Sequence, residues 1–258
     1  MDFHGVRIDF DEEAGVATVT LARPEKRNAL SLEMIQNLIK AFEAVPSEAA
    51  VVVLAAEGKA FSAGHDLSEM IDRPDEYYSE LFGTCVRMME SIHALSQPVI
   101  ARVQGVATAA GCQLVASCDL AVAARSAWFA TPGVQIGLFC STPMVPVSRA
   151  VGHKRAMQML LTGQQINADT AVEWGLINQS VPDDDLDEAV DSLVEKILRF
   201  SPRTIAVGKQ AYYQQAELPE SRAYEITTPV MASNAAADVA QEGMGAFLDK
   251  REPEWPDS

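Results

Sequence analysis

Two stretches restrict the fold more than any others: "AAVVVLAAEG" (residues 49–58) and "PVIARVQGVA" (98–107). Both are near-continuous runs of apolar, largely β-branched residues, too short for a buried helix of ordinary length. A strand that is apolar on both of its faces must be covered on both faces, and this is the pattern of a parallel sheet flanked by helices. After the first run comes "YYSELFGTCVRMMESIHALS" (77–96), whose apolar spacing predicts a helix that stops before Pro98. After the second comes "ATAAGCQLVASC" (107–118), a helix start with almost no polar face.

The rest of the chain fits the same alternation. "VRIDFDEEAGVATVTLA" (6–22) reads as a hairpin turning at Gly15, and "SLEMIQNLIKAFEAV" (31–45) as a helix capped by Ser31. "LAVAARSAWFATPGV" (120–134) predicts short strands, and "PVSRAVGHKRAMQMLLTG" (146–163) one helix ending on Gly163. "NADTAVEWGL" (167–176) predicts a short capped helix, "INQSVP" (177–182) a strand, and the chain from "LDEAVDSLVEKILRFSP" (186–202) onward is helical. The expected fold class is therefore α/β, with a core over 1–181, a helical C-terminal region over 182–258, and the transition between Gln164 and Val181.

Composition narrows the function. A formal charge of −16 leaves no concentrated basic face for nucleic acid, although a small anionic ligand needs only a few local cations. No apolar run is long enough to span a bilayer, so no membrane role is expected. Cys85, Cys112, Cys118 and Cys140 have no paired metal spacing and read as reduced thiols, so no metal is expected. With no secretory pattern visible, the expected location is cytoplasmic.

Two small-residue segments end the buried strands: "FSAGHDL" (61–67) and "GVATAAGC" (105–112). Small side chains let a ligand approach the main chain, and the second segment opens a helix whose first N–H groups lack intrahelical partners. Two such N–H groups converging from separate turns would bind a developing oxyanion. Taken singly, Gly-Ala turns of this kind are also common packing devices.

Together with "SRAVGHKRAMQMLLTGQQINADTAVEWGLINQSVP" and "QEGMGAFLDKREPEW", these segments resemble the enoyl-CoA hydratase/isomerase (crotonase) superfamily, in order, from about residue 5 to the end. The match is nearest to its divergent enoyl-CoA hydratase domain-containing branch. The resemblance implies a crotonase (ClpP-like) fold, a spiral of strand-strand-helix repeats, with C-terminal helices that form a homotrimer or a dimer of trimers. It implies an acyl-CoA or enoyl-CoA thioester as partner and no cofactor beyond the CoA carried by that substrate. The thioester carbonyl would be held by the backbone N–H groups of His65 and Ala110. Ala63, Gly64, Asp66 and Leu67 would contact CoA, with Lys26, Arg27, Phe247 and Lys250 reaching its phosphates, the last two from this or a neighbouring subunit. For the three cations, solvated surface charge is the competing reading.

Hydratases of this family carry two glutamates that position and activate water. The matching positions here are Gln113 and Gly133, so both carboxylates are absent. An amide orients water but takes no proton at neutral pH, and glycine offers nothing, so efficient hydration is not expected. Cys140, with Ser141 and Thr142, follows the second position and is either a substitute proton carrier or an inert thiol. Glu69, Asp72 and Asp75 are surface acids that a mobile loop could swing in. Asp119 reads as structural, and His93 and His153 as surface or capping residues. Three functions remain open: an enolate-based CoA enzyme such as an isomerase, a non-catalytic acyl-CoA binder, or a structural subunit.

Overall fold

The computed structural model describes residues 1–256. Strands β1 (Asp2–Phe3), β2 (Val6–Asp11), β3 (Val16–Leu21), β4 (Val51–Ala56), β6 (Val99–Val103), β8 (Leu120–Ala124) and β11 (Gln179–Val181) form a seven-stranded sheet in the order β1-β2-β3-β4-β6-β8-β11. Its first pairs are antiparallel, and from β3 onward every pair is parallel. A smaller sheet, in the order β10-β9-β7-β5, contains β5 (Ala60–Ser62), β7 (Val106–Thr108), β9 (Trp128–Ala130) and β10 (Ile166–Asn167). Consecutive strands therefore alternate between the sheets, β4 then β5, β6 then β7, β8 then β9. Each of the first two pairs is followed by a helix: α2 (Asp75–Ala94) and α3 (Ala110–Ser117).

The doubly apolar run at β4 now has its cause. Val52 and Leu54 point into the main core beside Met34, Ile35 and Leu38 of α1 (Leu32–Glu43), while Val51 and Val53 join Ile100 and Val122 on the other face. That second face is covered by Leu186, Val190 and Val194 of α7 (Leu186–Leu198). A helix of the expected C-terminal region thus closes the sheet itself, while α8 (Pro202–Gln215), α9 (Glu220–Ala236) and α10 (Asp238–Asp249) lie beyond it. The last two residues of that region, 257 and 258, lie outside the described residues.

Two expected elements divide at glycines. "PVIARVQGVA" is not one strand, because the chain leaves the large sheet after Val103 and enters the small one at Val106. At the crossing, a Cβ on Gly105 would sit 2.1 Å from the Lys59 carbonyl oxygen, so only glycine permits the passage. Likewise, the helix over 146–163 is two helices, α4 (Met144–Val151) and α5 (His153–Thr162), broken at Gly152 with φ +78°. Ser31 caps α1, accepting the Met34 N–H at 3.1 Å, and Asn167 caps α6 (Ala168–Trp174).

A buried polar cluster ties the core to the C-terminal helices. The Asp119 carboxylate accepts the Val99 N–H at 2.6 Å and the Tyr213 hydroxyl at 2.7 Å, and pairs with Lys209 Nζ at 2.7 Å. Lys209 and Asp119 are only 6 % and 15 % exposed, and Lys209 also donates to the Ile92 and Gln97 carbonyls. His93 is not a surface residue. It is half-buried, stacks on the Tyr213 ring at 3.9 Å and reaches the Ser117 carbonyl. His153 is exposed at the first position of α5. Removing one member of a buried ion pair leaves the other charge uncompensated, at a cost of about 3–5 kcal/mol. Asp119→Ala is expected to lose that much stability in urea denaturation, and a loss below about 1 kcal/mol would refute this account of the cluster.

Candidate active site

Strands β5, β7 and β9 run parallel, pairing Ser62 with Ala107 and Thr108 with Ala130, so their C-terminal ends share one edge. Turns 63–67, 109–113 and 131–133 leave from that edge, and all three contain residues singled out from sequence. The carboxyl edge of parallel strands is where helix starts and free main-chain groups gather.

Backbone contact holds the first two turns together. Thr108 Oγ1 donates to the Ala63 carbonyl at 3.1 Å. A Cβ on Gly64 (φ +84°) would lie 2.9 Å from the Thr108 carbonyl oxygen and 3.3 Å from the Ala110 nitrogen. One on Gly111 would lie 2.3 Å from the Ser62 carbonyl oxygen. The His65 and Ala110 N–H groups, from turns packed this closely, have no hydrogen-bond partner among the described residues. Helix α3 begins from a strained residue: Ala109 has φ +49° and ψ −116°, its N–H bonded to the Ala130 carbonyl and its own carbonyl accepting from Gln113. An alanine there costs about 1–2 kcal/mol relative to an ordinary conformation.

A third turn braces the site from outside. The Ala63 N–H donates to the Arg27 carbonyl, Leu30 to Gly64, and Asp66 to Leu30. Asn28, fully buried with φ +52°, accepts the Arg23 N–H and donates to the Glu57 and Ala60 carbonyls, while its own carbonyl accepts from Ser62. Lys26 and Arg27 are exposed on this turn and are therefore brought beside the 63–66 segment. Asp66 caps the next turn through Ser68, and Leu67 is exposed. Phe247 is 82 % exposed on α10, and Lys250 follows that helix. Helix α10 packs on α8 and α9.

The His65 side chain points inward. Its ring meets Phe82 edge-on at 5.2 Å, Nε2 is buried without a partner, and burial pushes its pKa down to about 4. Gln113 is 3 % exposed with Oε1 also unpartnered, as is the fully buried Thr131 hydroxyl. Three orphaned polar atoms therefore lie on the three turns of one edge, where buried groups are normally bonded.

Gly133 has no room for a side chain. A Cβ there would be 1.9 Å from the Leu138 carbonyl oxygen and 2.9 Å from Cys140 Sγ. Hence the Cys140 sulfur lies beside the place where a carboxylate's stem would begin. Burial pushes this thiol upward, with the Gly133 backbone partly opposing, so it stays protonated at neutral pH and is a poor nucleophile. Burial raises Cys85 and Cys112 to about 12. Among the described residues no group of three His, Cys, Asp or Glu is placed to hold a metal, and no helix is long and apolar enough to cross a membrane.

Sequence reasoning passed over Asn28, Thr131 and the strain at Ala109. Only the Asn in "RPEKRNALS" gave a signal, as a residue tolerant of positive φ.

Two outcomes follow from this geometry. Ala109→Gly, which is free to adopt φ +49°, is expected to raise unfolding free energy by about 1 kcal/mol, and unchanged or lower stability would count against the strain. For His65, the folded-state pKa lies below the unfolded one, so its stabilising effect is present above pH ~6.5 and is lost as pH falls towards 4. Wild type should lose roughly 2–3 kcal/mol over that window and His65→Leu distinctly less; parallel pH profiles would contradict the burial.

The enoyl-CoA hydratase/isomerase family profile matches residues 11–258. Over 250 residues the chain is 44 % identical to the Xenopus laevis enoyl-CoA hydratase domain-containing protein 3, mitochondrial, covering 96 % of this chain and 85 % of that one. Among solved structures, an enoyl-CoA hydratase of Mycobacterium smegmatis superposes with a TM-score of 0.95 at 49 % identity, covering 97 % of this chain and 98 % of that one. Human enoyl-CoA hydratase domain-containing protein 3 superposes with a TM-score of 0.93 at 42 % identity, covering 97 % and 100 %. The cytoplasmic location expected from sequence is corrected by these likenesses, since the frog relative is named as mitochondrial. Lack of a secretory pattern bears on secretion and not on entry into an organelle.

Proposed function

Because the chain belongs to the enoyl-CoA hydratase/isomerase family and has its crotonase fold, we propose that it binds an acyl-CoA thioester and polarises the carbonyl with the backbone N–H groups of His65 and Ala110. The observation that carries this reading is the pair of unpartnered N–H groups on turns whose backbones touch at Gly64 and Ala110. Donors fixed by such contact need no reorganisation as negative charge develops on the thioester oxygen, so they favour an enolate over the ground state. The CoA moiety lies along Ala63, Gly64, Asp66 and Leu67, with Lys26 and Arg27 at its phosphates. Phe247 and Lys250 approach from a neighbouring subunit of a homotrimer or dimer of trimers. In support, α8, α9 and α10 expose Tyr212, Tyr224, Met231, Phe247 and Leu248. The reading needs no cofactor beyond the CoA of the substrate.

Efficient hydration is not part of this function. Gln113 supplies an amide where proton transfer needs a carboxylate, and the site at Gly133 is closed by Leu138 and Cys140. Loss of a positioned acid–base typically costs about 10²–10⁴-fold. Binding without turnover is the second reading, favoured by the protonated Cys140 thiol; isomerisation or another enolate reaction remains the catalytic one.

The test pairs calorimetry with turnover. CoA thioesters should bind, enoyl-CoA hydration should be slow or absent, and Gln113→Glu alone should raise hydration at least ~10-fold by restoring one carboxylate. No binding of any thioester would overturn the reading. Rapid wild-type hydration would overturn the account of the two replaced positions.

A further inference from the structure

Of the four consecutive amides in the 63–66 turn, three are engaged. The Ala63 N–H donates to the Arg27 carbonyl, the Gly64 N–H to Ser62 Oγ at 3.3 Å, and the Asp66 N–H to the Leu30 carbonyl. Only the His65 N–H between them has no partner among the described residues. These bonds fasten the turn to the 27–30 segment and to its own strand, and none of them reaches α3. Helix α3 is open at its start in a similar way. Ser31, Asn167 and Ser201 cap α1, α6 and α8 with their side chains, whereas the N-cap of α3 is Ala109, which has no side-chain oxygen to offer.

One side chain spans the gap between the two open segments. Thr108, 8 % exposed, is the last residue of β7, and its Oγ1 donates to the Ala63 carbonyl at 3.1 Å. Among the described residues no other side chain hydrogen-bonds the 63–67 turn to the 108–113 segment. The link stands two residues before each donor, Ala63 before His65 and Thr108 before Ala110. Beside it the backbones already touch: a Cβ on Gly64 would lie 2.9 Å from the Thr108 carbonyl oxygen and 3.0 Å from Ala109 Cβ. Contact of that kind sets how closely the turns can approach, but it does nothing to stop them parting. The strain at Ala109, with φ +49°, gives the start of α3 a reason to shift unless its surroundings hold it.

We propose that Thr108 is a positioning residue, whose hydroxyl holds the Ala63 carbonyl so that the His65 and Ala110 N–H groups keep the spacing at which both reach one oxygen. The inference rests on a thioester oxygen being held at those two groups, and it adds the residue that keeps them paired. Thr108 acts through the main chain of its own turn and of the facing one. An enolate oxygen carries more charge than a carbonyl oxygen, so it loses more when one donor moves away. The effect of Thr108 therefore falls mainly on the enolate and less on the neutral ester.

Acetoacetyl-CoA is the probe. Its α-carbon gives a proton to solvent water, the electron pair is delocalised onto the oxygens, and the resulting enolate has its own ultraviolet absorbance. A pH titration of the probe bound to the intact protein reads the enolate fraction, and calorimetry with butyryl-CoA, which keeps its α-protons in this range, reads binding of a neutral ester. Thr108→Val, which keeps the shape and removes the hydroxyl, is expected to move the midpoint of enolate formation up by about one pH unit, a ~10-fold loss, with a smaller loss of butyryl-CoA affinity. Thr108→Ser, which keeps the hydroxyl, should hold the wild-type midpoint, and Thr108→Ala is a second variant without it. A wild-type midpoint in Thr108→Val or Thr108→Ala, or a Thr108→Ser shift as large as that of Thr108→Val, overturns the positioning role while leaving thioester binding intact. A wild-type protein whose bound probe ionises no more readily than the free thioester, or that binds no thioester, removes the donor pair and this proposal with it.

Discussion

The approach of main chain to main chain at the carboxyl edge of the small sheet is the constraint on which the site depends. Gly64 lies against the Thr108 carbonyl and the Ala110 nitrogen, and Gly111 against the Ser62 carbonyl, at separations that leave no space for a Cβ. This contact sets where α3 starts and places the unpartnered His65 and Ala110 N–H groups on two turns packed against each other. It also explains why α3 is apolar on nearly every side, because a helix begun inside the molecule has only Ala116 and its C-terminal end near solvent. A methyl group at either glycine would push the turns apart, and the Ala110 N–H would move with its helix.

Much of this was legible in the residues. The β-branched runs at 51–56 and 99–103, the Ser31 and Asn167 caps and the Gly163 stop all report local rules that tertiary packing did not override. The crossing at Gly105 was not legible, because what it avoids is the carbonyl of Lys59, distant in sequence. The inward ring of His65 escaped for the same reason, since its partner Phe82 belongs to a helix whose register no short motif encodes. His93 read as a surface or capping residue; it does meet the last carbonyl of α3, but its burial was missed because its stacking partner, Tyr213, comes 120 residues later. What sequence conveys poorly here is which distant element arrives to bury a polar group.

Gln113 and Gly133, the two positions where the family resemblance leads one to expect glutamates, differ in kind, and only coordinates reveal it. Gln113 is a carboxamide in a place shaped for a side chain of that length, buried and with its oxygen unpartnered, so a glutamate would fit without rebuilding the helix. Gly133 is glycine because the Leu138 carbonyl and the Cys140 sulfur occupy the direction its side chain would take. At the first position there is room for a longer side chain; at the second the loop's own backbone and sulfur take that room. A chain that had merely lost its acids at random would be expected to keep space at both. The loop from Thr131 to Cys140 instead turns in on itself, Leu138 bonding back to Gly133, while the donors at His65 and Ala110 remain free. Its own loop therefore fills the space beside Gly133, whereas Gln113 keeps a buried, unpartnered oxygen, so the two positions set different limits on anything that reaches this edge.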